Sequence, residues 1–241
     1  MSLPTGSTEN SVMIIDLSRD HCSDTAVANF RFNNMEIKPF MNIVVAMDEK
    51  NAIGHEKKIP WAPLLTDHHW YLTHATTTKD ASKRVALILG RITFEDAIKF
   101  HEKYRSRWHF IVITKQSPEI FYNTYKEYDR NHIDVVNSFD QAAQQAKLLL
   151  DTPSAMIESV FVFGGAVPYE QALESKLVQR VYLTRIFAEV PGCDTRVSNF
   201  DLSNFRRIKR ASDEILAELD DKIIEENGWQ YQFQVYERND L

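Results

Sequence analysis

Two segments join a short apolar run to glycine and then to the start of a helix. They are Val85-Ala86-Leu87-Ile88-Leu89-Gly90-Arg91-Ile92-Thr93 and Val160-Phe161-Val162-Phe163-Gly164-Gly165-Ala166-Val167. At such a junction the missing Cβ lets a ligand approach the backbone, and the helix start offers unpaired N–H groups with a partial positive charge. Arg91 and Thr93 add a cation and a hydroxyl at the first junction. Phosphate binding is the chemistry this suits, and two such junctions suggest a dinucleotide, although either one alone is explained by a tight turn. Neither G-x-G-x-x-G nor a Walker A sequence is present, so an ordinary Rossmann or P-loop assignment is not supported. Glycine is scarce, 7 of 241 residues, about 3% against a usual ~7%. Gly192 and Gly228 fall in the turn dipeptides Pro191-Gly192 and Asn227-Gly228, and Gly6 lies near the N-terminus, which leaves Gly54, Gly90, Gly164 and Gly165 for function.

Asp67-His68-His69 and His74 are close in sequence, but adjacent helical positions point about 100° apart and no H-E-x-x-H or Cys-x-x-Cys spacing accompanies them. No metal centre is expected. An acid at a helix start, as Asp67 is, ordinarily stabilises the macrodipole. Cys22 and Cys193 cannot build a disulfide framework and read as reduced thiols in a reducing compartment. Lys and Arg number 28 against 34 Asp and Glu, a net charge of −6, which argues against nucleic-acid binding as the main activity. The 44% apolar content with 26% charged residues is that of a soluble globular chain. No apolar run approaches the ~18 residues of a membrane span. The N-terminal residues lack signal- and transit-peptide patterns, so a cytoplasmic location is expected.

The elements that must position these side chains follow from periodicity. Residues 1–40 show none and read as an extension, poorly ordered unless docked onto the body. Residues 41–241 read as one domain. Buried strands are expected at 43–46, 85–89, 110–114, 133–136, 160–163 and 181–186, and crossover helices at 66–76, 93–102, 139–150 and 167–173. After Asn227-Gly228, Trp229, Tyr231, Phe233 and Val235 alternate with glutamines, which predicts an antiparallel strand with two unlike faces. The fold class is α/β: a single domain, a predominantly parallel central sheet with an antiparallel C-terminal strand, and helices on both faces. The acidic stretch 212–226 reads as a solvated helix or loop insertion.

Ile43-Val44-Val45-Ala46, Ile53-Gly54, Ile59-Pro60-Trp61, Asp67, Leu89-Gly90-Arg91-Ile92-Thr93-Phe94, Phe163-Gly164-Gly165, Tyr169 and Leu183-Thr184-Arg185 form an ordered set. With Asp194-Thr195 and the closing Tyr231-Gln232-Phe233-Gln234-Val235-Tyr236, the set resembles dihydrofolate reductase over about residues 41–240. The resemblance implies hydride transfer from NADPH to C6 of dihydrofolate with protonation of N5, by a monomer acting on a small folate substrate. Asp67 matches the family's acid, which accepts a bidentate hydrogen bond from the pterin amino-amidine edge; burial should raise its pKa. Thr184 matches the threonine that bonds this acid, and Trp61 the tryptophan that holds a water beside them. On the cofactor side, Ala46, Ile53, Gly54 and Lys58 match the nicotinamide region, and Gly90, Arg91 and Thr93 the adenylate-phosphate segment. Gly164 and Gly165 match a glycine pair that the family joins by a cis bond, followed by Ala166, Val167 and Tyr169 in the helix facing the pyrophosphate. Thr114 and Lys115 end a strand where the family reads the 2′-phosphate, which favours NADPH over NADH. Val44, Val45, Ile59, His68, Tyr71, Phe163 and Arg107 are the implied substrate contacts.

Several positions depart from the family pattern. Ala52 and Lys57 replace glycines in the loop 52–58, so closure over the nicotinamide should be stiffer. His68 replaces an apolar residue, Tyr71 a phenylalanine and Asp96 a Ser or Thr, Phe163 is bulkier than usual, and Arg196-Val197-Ser198 replaces Phe-Phe-Pro. Arg107 is the nearest match for the arginine that holds the substrate α-carboxylate, yet counting back from Thr114-Lys115 puts it one residue early and Trp108 in the slot. A bulge before the strand would restore it; otherwise it is a surface charge. Because the departures cluster on the substrate side, two alternatives accompany the reductase reading. One is a catalytically impaired cofactor- or partner-binding protein of the same fold, and the other a reductase of another pterin-like or aminopyrimidine substrate.

Overall fold

Apolar runs with few polar residues become strands buried on both faces, as a parallel sheet between two helical layers requires. The computed structural model describes residues 38–240 apart from 62, 101 and 213. In chain order the elements are β1 (Met41–Met47), β2 (Ala52–Gly54), α1 (Leu65–Thr76), β3 (Arg84–Gly90), α2 (Arg91–Phe100), β4 (Trp108–Ile113), α3 (Pro118–Thr124), β5 (Ile133–Val136), α4 (Phe139–Asp151), β6 (Ile157–Gly164), α5 (Ala166–Glu174), β7 (Val178–Ile186), β8 (Thr195–Arg196), β9 (Phe205–Ile208), β10 (Ile223–Glu226) and β11 (Trp229–Arg238). The expectation for the N-terminal extension falls, through residue 37, outside the described residues, as does Cys22.

The main sheet runs β10-β11-β7-β1-β6-β3-β4-β5, with β9 also paired to β11. From β7 across to β5 the neighbours are parallel, whereas β11 is antiparallel to β7, β9 and β10. Strand alternation then builds two cores. Val44, Leu87, Phe110, Phe161 and Tyr182 pack with Trp70 of α1, Phe94 of α2 and Phe121 of α3. Ile43, Ala86, Ile111, Val162 and Leu183 pack with Phe139 and Ala146 of α4 and Tyr169 of α5. Each fully buried Leu, Phe or Val is worth roughly 1.5–3 kcal/mol, so burial on both faces holds the sheet between the helical layers.

One expectation is corrected here. The acidic stretch 212–226 is not a solvated helix: it turns through a short 3-10 segment (Ala217–Leu219), buries Ala217 and Asp220, and returns as the largely exposed β10 along β11. The physical reason is that its acids have partners. Asp220 is buried and accepts from Arg210 Nε at 2.7 Å and NH2 at 2.6 Å, and Glu226 reaches the start of α1. The short elements α3, β2, β8 and β9 were not visible in the periodicity. In α3, Ser117 caps the helix by accepting from Ile120 N and Pro118 takes its first turn, a start signal in the sequence that has too few apolar repeats behind it.

Arg210 also anchors α1 through His74. Its NH1 lies 3.2 Å from His74 Nε2 and donates to the Ile215 carbonyl at 3.0 Å. A guanidinium has donors only, so His74 Nε2 must accept and the ring is neutral. The ring stacks on Tyr182 at 4.6 Å and meets Trp70 edge-on at 4.8 Å. Burial, reinforced by the Arg210 charge, pushes its pKa down to about 3 from 6.5. A base whose folded pKa is depressed makes the unfolded chain bind more protons below the unfolded value, so this contribution to stability is complete above that value and falls with pH down to about 3. Between pH 7 and pH 5 the wild type should therefore lose about 2 kcal/mol more unfolding free energy than His74→Gln, read from urea melts at the two pH values.

Candidate active site

Asp67 sits in the first turn of α1, buried at 7% exposure, and accepts from Thr184 Oγ1 at 2.6 Å. Register fixes the partner: on β7, Thr184 stands between Ala46 of β1 and Phe233 of β11. Burial pushes the Asp67 pKa up to about 6 from 3.8; the Thr184 bond opposes this and the negative charge of Glu226 adds to it. Trp61 is buried in the same core as Val44 and Leu64. One turn along α1, the Tyr71 ring lies 5.8 Å from Phe163 at the end of β6 and 5.3 Å from His68, which is exposed. Burial, with the Asp67 charge, holds the Tyr71 hydroxyl above its usual range. Ile59 is 65% exposed and Lys58 is exposed at the rim of the loop. Val44 faces α1, but alternation turns Val45 and Ile53 into the opposite core, so their side chains are not brought to Asp67.

The two glycine junctions meet. β3 and β6 are adjacent and parallel with Leu89 opposite Gly164, so both strand ends open on the same place. A Cβ on Gly90 would come 3.9 Å from the Gly164 oxygen and the Gly165 nitrogen, and one on Gly165 would come 3.8 Å from Thr93 Oγ1. Backbone thus floors a single cradle, with α2 starting at Arg91 and α5 at Ala166 beside it, and the half-buried Ala166 and exposed Val167 in its rim. A cradle that side chains would fill, set at two helix starts, fits a dinucleotide pyrophosphate. Gly164 has φ +117° and is joined to Gly165 by a cis peptide bond, and a Cβ on it would meet the Tyr169 hydroxyl at 3.2 Å. That hydroxyl donates to the Val44 carbonyl at 2.9 Å, tying α5 to β1. Arg91 pairs with Glu95, which also accepts from the Tyr125 hydroxyl. At the end of β4, buried Thr114 accepts from Gln116 N at 3.2 Å, and exposed Lys115 donates to the Asn137 carbonyl at 3.1 Å.

The loop after β1 rests on Asp48, a residue the sequence reading did not single out. Its fully buried carboxylate accepts from Lys50 N and Ala52 N at 2.8 Å and from Val190 N at 2.9 Å. Arg185 donates to the Asp48 carbonyl and, at 3.1 Å, to Asn51 Oδ1. Farther along, His55 and Lys58 close a tight turn in which Glu56 (φ 48°) and Lys57 (φ 64°) take the left-handed backbone that favours glycine. Asp194 accepts from Glu56 N at 2.8 Å, and a Cβ on Gly54 would press on Thr195 at 3.2 Å, so the Asp194-Thr195 pair braces this loop.

Arg107 is not brought to Asp67. Its guanidinium donates to the Ala81 carbonyl and Thr78 Oγ1, both at 2.8 Å, and to the Thr76 carbonyl at 3.4 Å, binding the C-terminal end of α1. β4 opens on Trp108 in regular register with β3, without the bulge that would restore the arginine, and the Trp108 indole donates to the Ala75 carbonyl at 2.9 Å.

Fold and site together define an α/β protein with a buried acid on α1 and a dinucleotide-type cradle at the carboxyl ends of the parallel strands β3 and β6. The family model for dihydrofolate reductase matches residues 40–238. A relative from Caenorhabditis elegans is 31% identical over 194 residues, 80% of this chain and 94% of its own. The Gallus gallus dihydrofolate reductase is 26% identical over 203 residues, 83% of this chain and 97% of its own. A Schistosoma mansoni dihydrofolate reductase structure, 22% identical, superimposes with a TM-score of 0.60 over 84% of this chain and 100% of its own. The chain belongs to the dihydrofolate reductase family. It is accordingly an oxidoreductase of the kind that uses a nicotinamide cofactor.

Because the Thr184 bond opposes the upward push of burial, Thr184→Val should raise the Asp67 midpoint above about 6. The protonated-carboxyl band in an infrared pH titration, with Asp67→Asn subtracted, reads this directly.

Proposed function

We propose that this chain reduces 7,8-dihydrofolate to tetrahydrofolate with NADPH. The observation that carries the reading is the buried Asp67 carboxyl bonded to Thr184 at 2.6 Å, which burial pushes up to a pKa of about 6. Thr184 occupies one lone pair of Oδ1, and the remaining acceptor sites suit the paired N–H donors of an amino-amidine edge. Ion pairing there orients the pterin and favours its protonated form, which is what addition of a proton at N5 requires. Trp61 walls this side and holds one water beside the acid. Bound NADPH supplies the hydride for C6.

Gly90, Arg91, Thr93, Gly164, Gly165, Ala166 and Val167 hold the phosphates in this reading, and Thr114 with Lys115 takes the 2′-phosphate. Ala46, Gly54, Ile53 and Lys58 shape the nicotinamide side, while Tyr169 holds β1 against it. Val44, Ile59, His68, Tyr71 and Phe163 form the substrate wall. Arg107 is left out of that wall because its guanidinium bonds Thr78 and the Ala81 carbonyl beyond the end of α1.

Asp67→Asn should lower turnover of dihydrofolate by a hundredfold or more, about the scale of general acid catalysis. The wild-type rate should fall as pH rises through about 6, where the carboxyl loses its proton. The loss of NADPH absorbance measures both, and a variant as fast as wild type would sink the reading. Lys115→Gln should cut the kcat/KM preference for NADPH over NADH about tenfold, because a cation beside the 2′-phosphate is lost.

A further inference from the structure

Helix α1 begins without a cap of its own. Leu64 occupies the N-cap position and offers no side-chain acceptor, so the first N–H groups need one from elsewhere. Glu226, the last residue of β10, provides it across the fold: Oε1 accepts from Leu65 N at 2.6 Å and Oε2 from Thr66 N at 3.2 Å. The Tyr231 hydroxyl donates to Oε2 at 2.7 Å, and Asn227 Nδ2 donates to the Pro63 carbonyl at 2.6 Å, so the β10–β11 turn grips both sides of the helix start. A carboxylate in a first turn is ordinarily drawn toward ionisation by the positive helix end. For Asp67 that end is already occupied by another carboxylate.

We propose that Glu226 is a positioning residue for the site acid: it fixes the first turn of α1 and, by placing a full negative charge on the helix end, keeps the proton on Asp67. The inference deepens the reading of Asp67 given above and rests on it. The groups that interact with Asp67 are Thr184 of β7, Glu226 of β10, Tyr231 of β11 and Tyr71 of α1 itself. The Tyr71 and Tyr231 hydroxyls are held above their usual range by burial and stay protonated. Burial works against ionisation of Glu226, but the bonds from Tyr231, Leu65 and Thr66 outweigh it and leave its carboxyl below the usual range. Across the titration of Asp67, Glu226 is therefore a fixed charge.

The test is a 13C NMR titration of the aspartate side-chain carboxyls in the ligand-free protein, the Asp67 signal being the one missing from Asp67→Asn. Glu226→Gln keeps an oxygen for the first-turn amides and removes the charge. Its Asp67 midpoint should drop by about half a pH unit, roughly threefold in acid constant, and Glu226→Asp should restore it. The pH limb of dihydrofolate turnover should move with the midpoint. A folded Glu226→Gln chain with the wild-type midpoint overturns the proposal, since a purely structural cap would change melting temperature alone. If the glutamine chain does not fold, the same titration compares Glu226→Ser with Glu226→Asp: the neutral serine should lower the Asp67 midpoint and the charged aspartate should not, and equal midpoints overturn the proposal. Failure of the Asp67 reading looks different: Asp67→Asn would then match wild-type turnover, whatever the carboxyl signal does in Glu226→Gln.

Discussion

The hydrogen bond between Thr184 and Asp67 joins residues 117 positions apart, a strand in the middle of the sheet and the first turn of a helix laid across it. It exists only because β7 lies beside β1 in a parallel register that sets Thr184 next to Ala46, and because the chain enters α1 with Asp67 turned inward. A carboxyl removed from water must find its partners within the fold or hold its proton. Asp67 does both, which makes it a proton-holding group in a wall otherwise built of Val44, Trp61 and aromatic rings.

The cradle follows from the same topology. Parallel strands deliver their carboxyl ends to one side of the sheet, and adjacency of β3 and β6 brings Gly90 against Gly164-Gly165. Side chains at these positions would fill the space that the backbone leaves open, and Tyr169, packed under Gly164, links the cradle to β1 through the Val44 carbonyl. The strand that bonds the acid, β7, and the cradle strand β6 lie on either side of β1, and the Tyr71–Phe163 contact links α1 to the end of β6.

Features with a local signature were legible in the sequence. The buried strands announced themselves by apolar runs, the junctions by glycine in a glycine-poor chain, and the two-faced closing strand β11 by alternation. The polar contacts that fix the site had no such signature. Glu226 caps α1 from 160 residues away, Asp48 folds a loop around its carboxylate, and Asp220 is neutralised by Arg210, yet in sequence each is one acid among many. Composition cannot tell a solvated carboxylate from a desolvated one, so the buried Asp220 was not distinguished from its exposed neighbours in 212–226. For Arg107 the ambiguity was a single residue of register, and its side chain is bonded to the end of α1 just ahead of β4.

The Arg210–Asp220 pair bears on how this chain can change over generations. Both side chains are 1% exposed. Losing one partner strands the other charge in the core at a cost of about 3–5 kcal/mol, whereas exchanging both for apolar residues of similar volume is often neutral. The tolerated sequence is therefore separated from this one by a step that most single substitutions cannot cross. Because Arg210 also faces His74 on the helix that carries Asp67, the pair constrains drift at a distance from the chemistry, and these positions should change together or not at all.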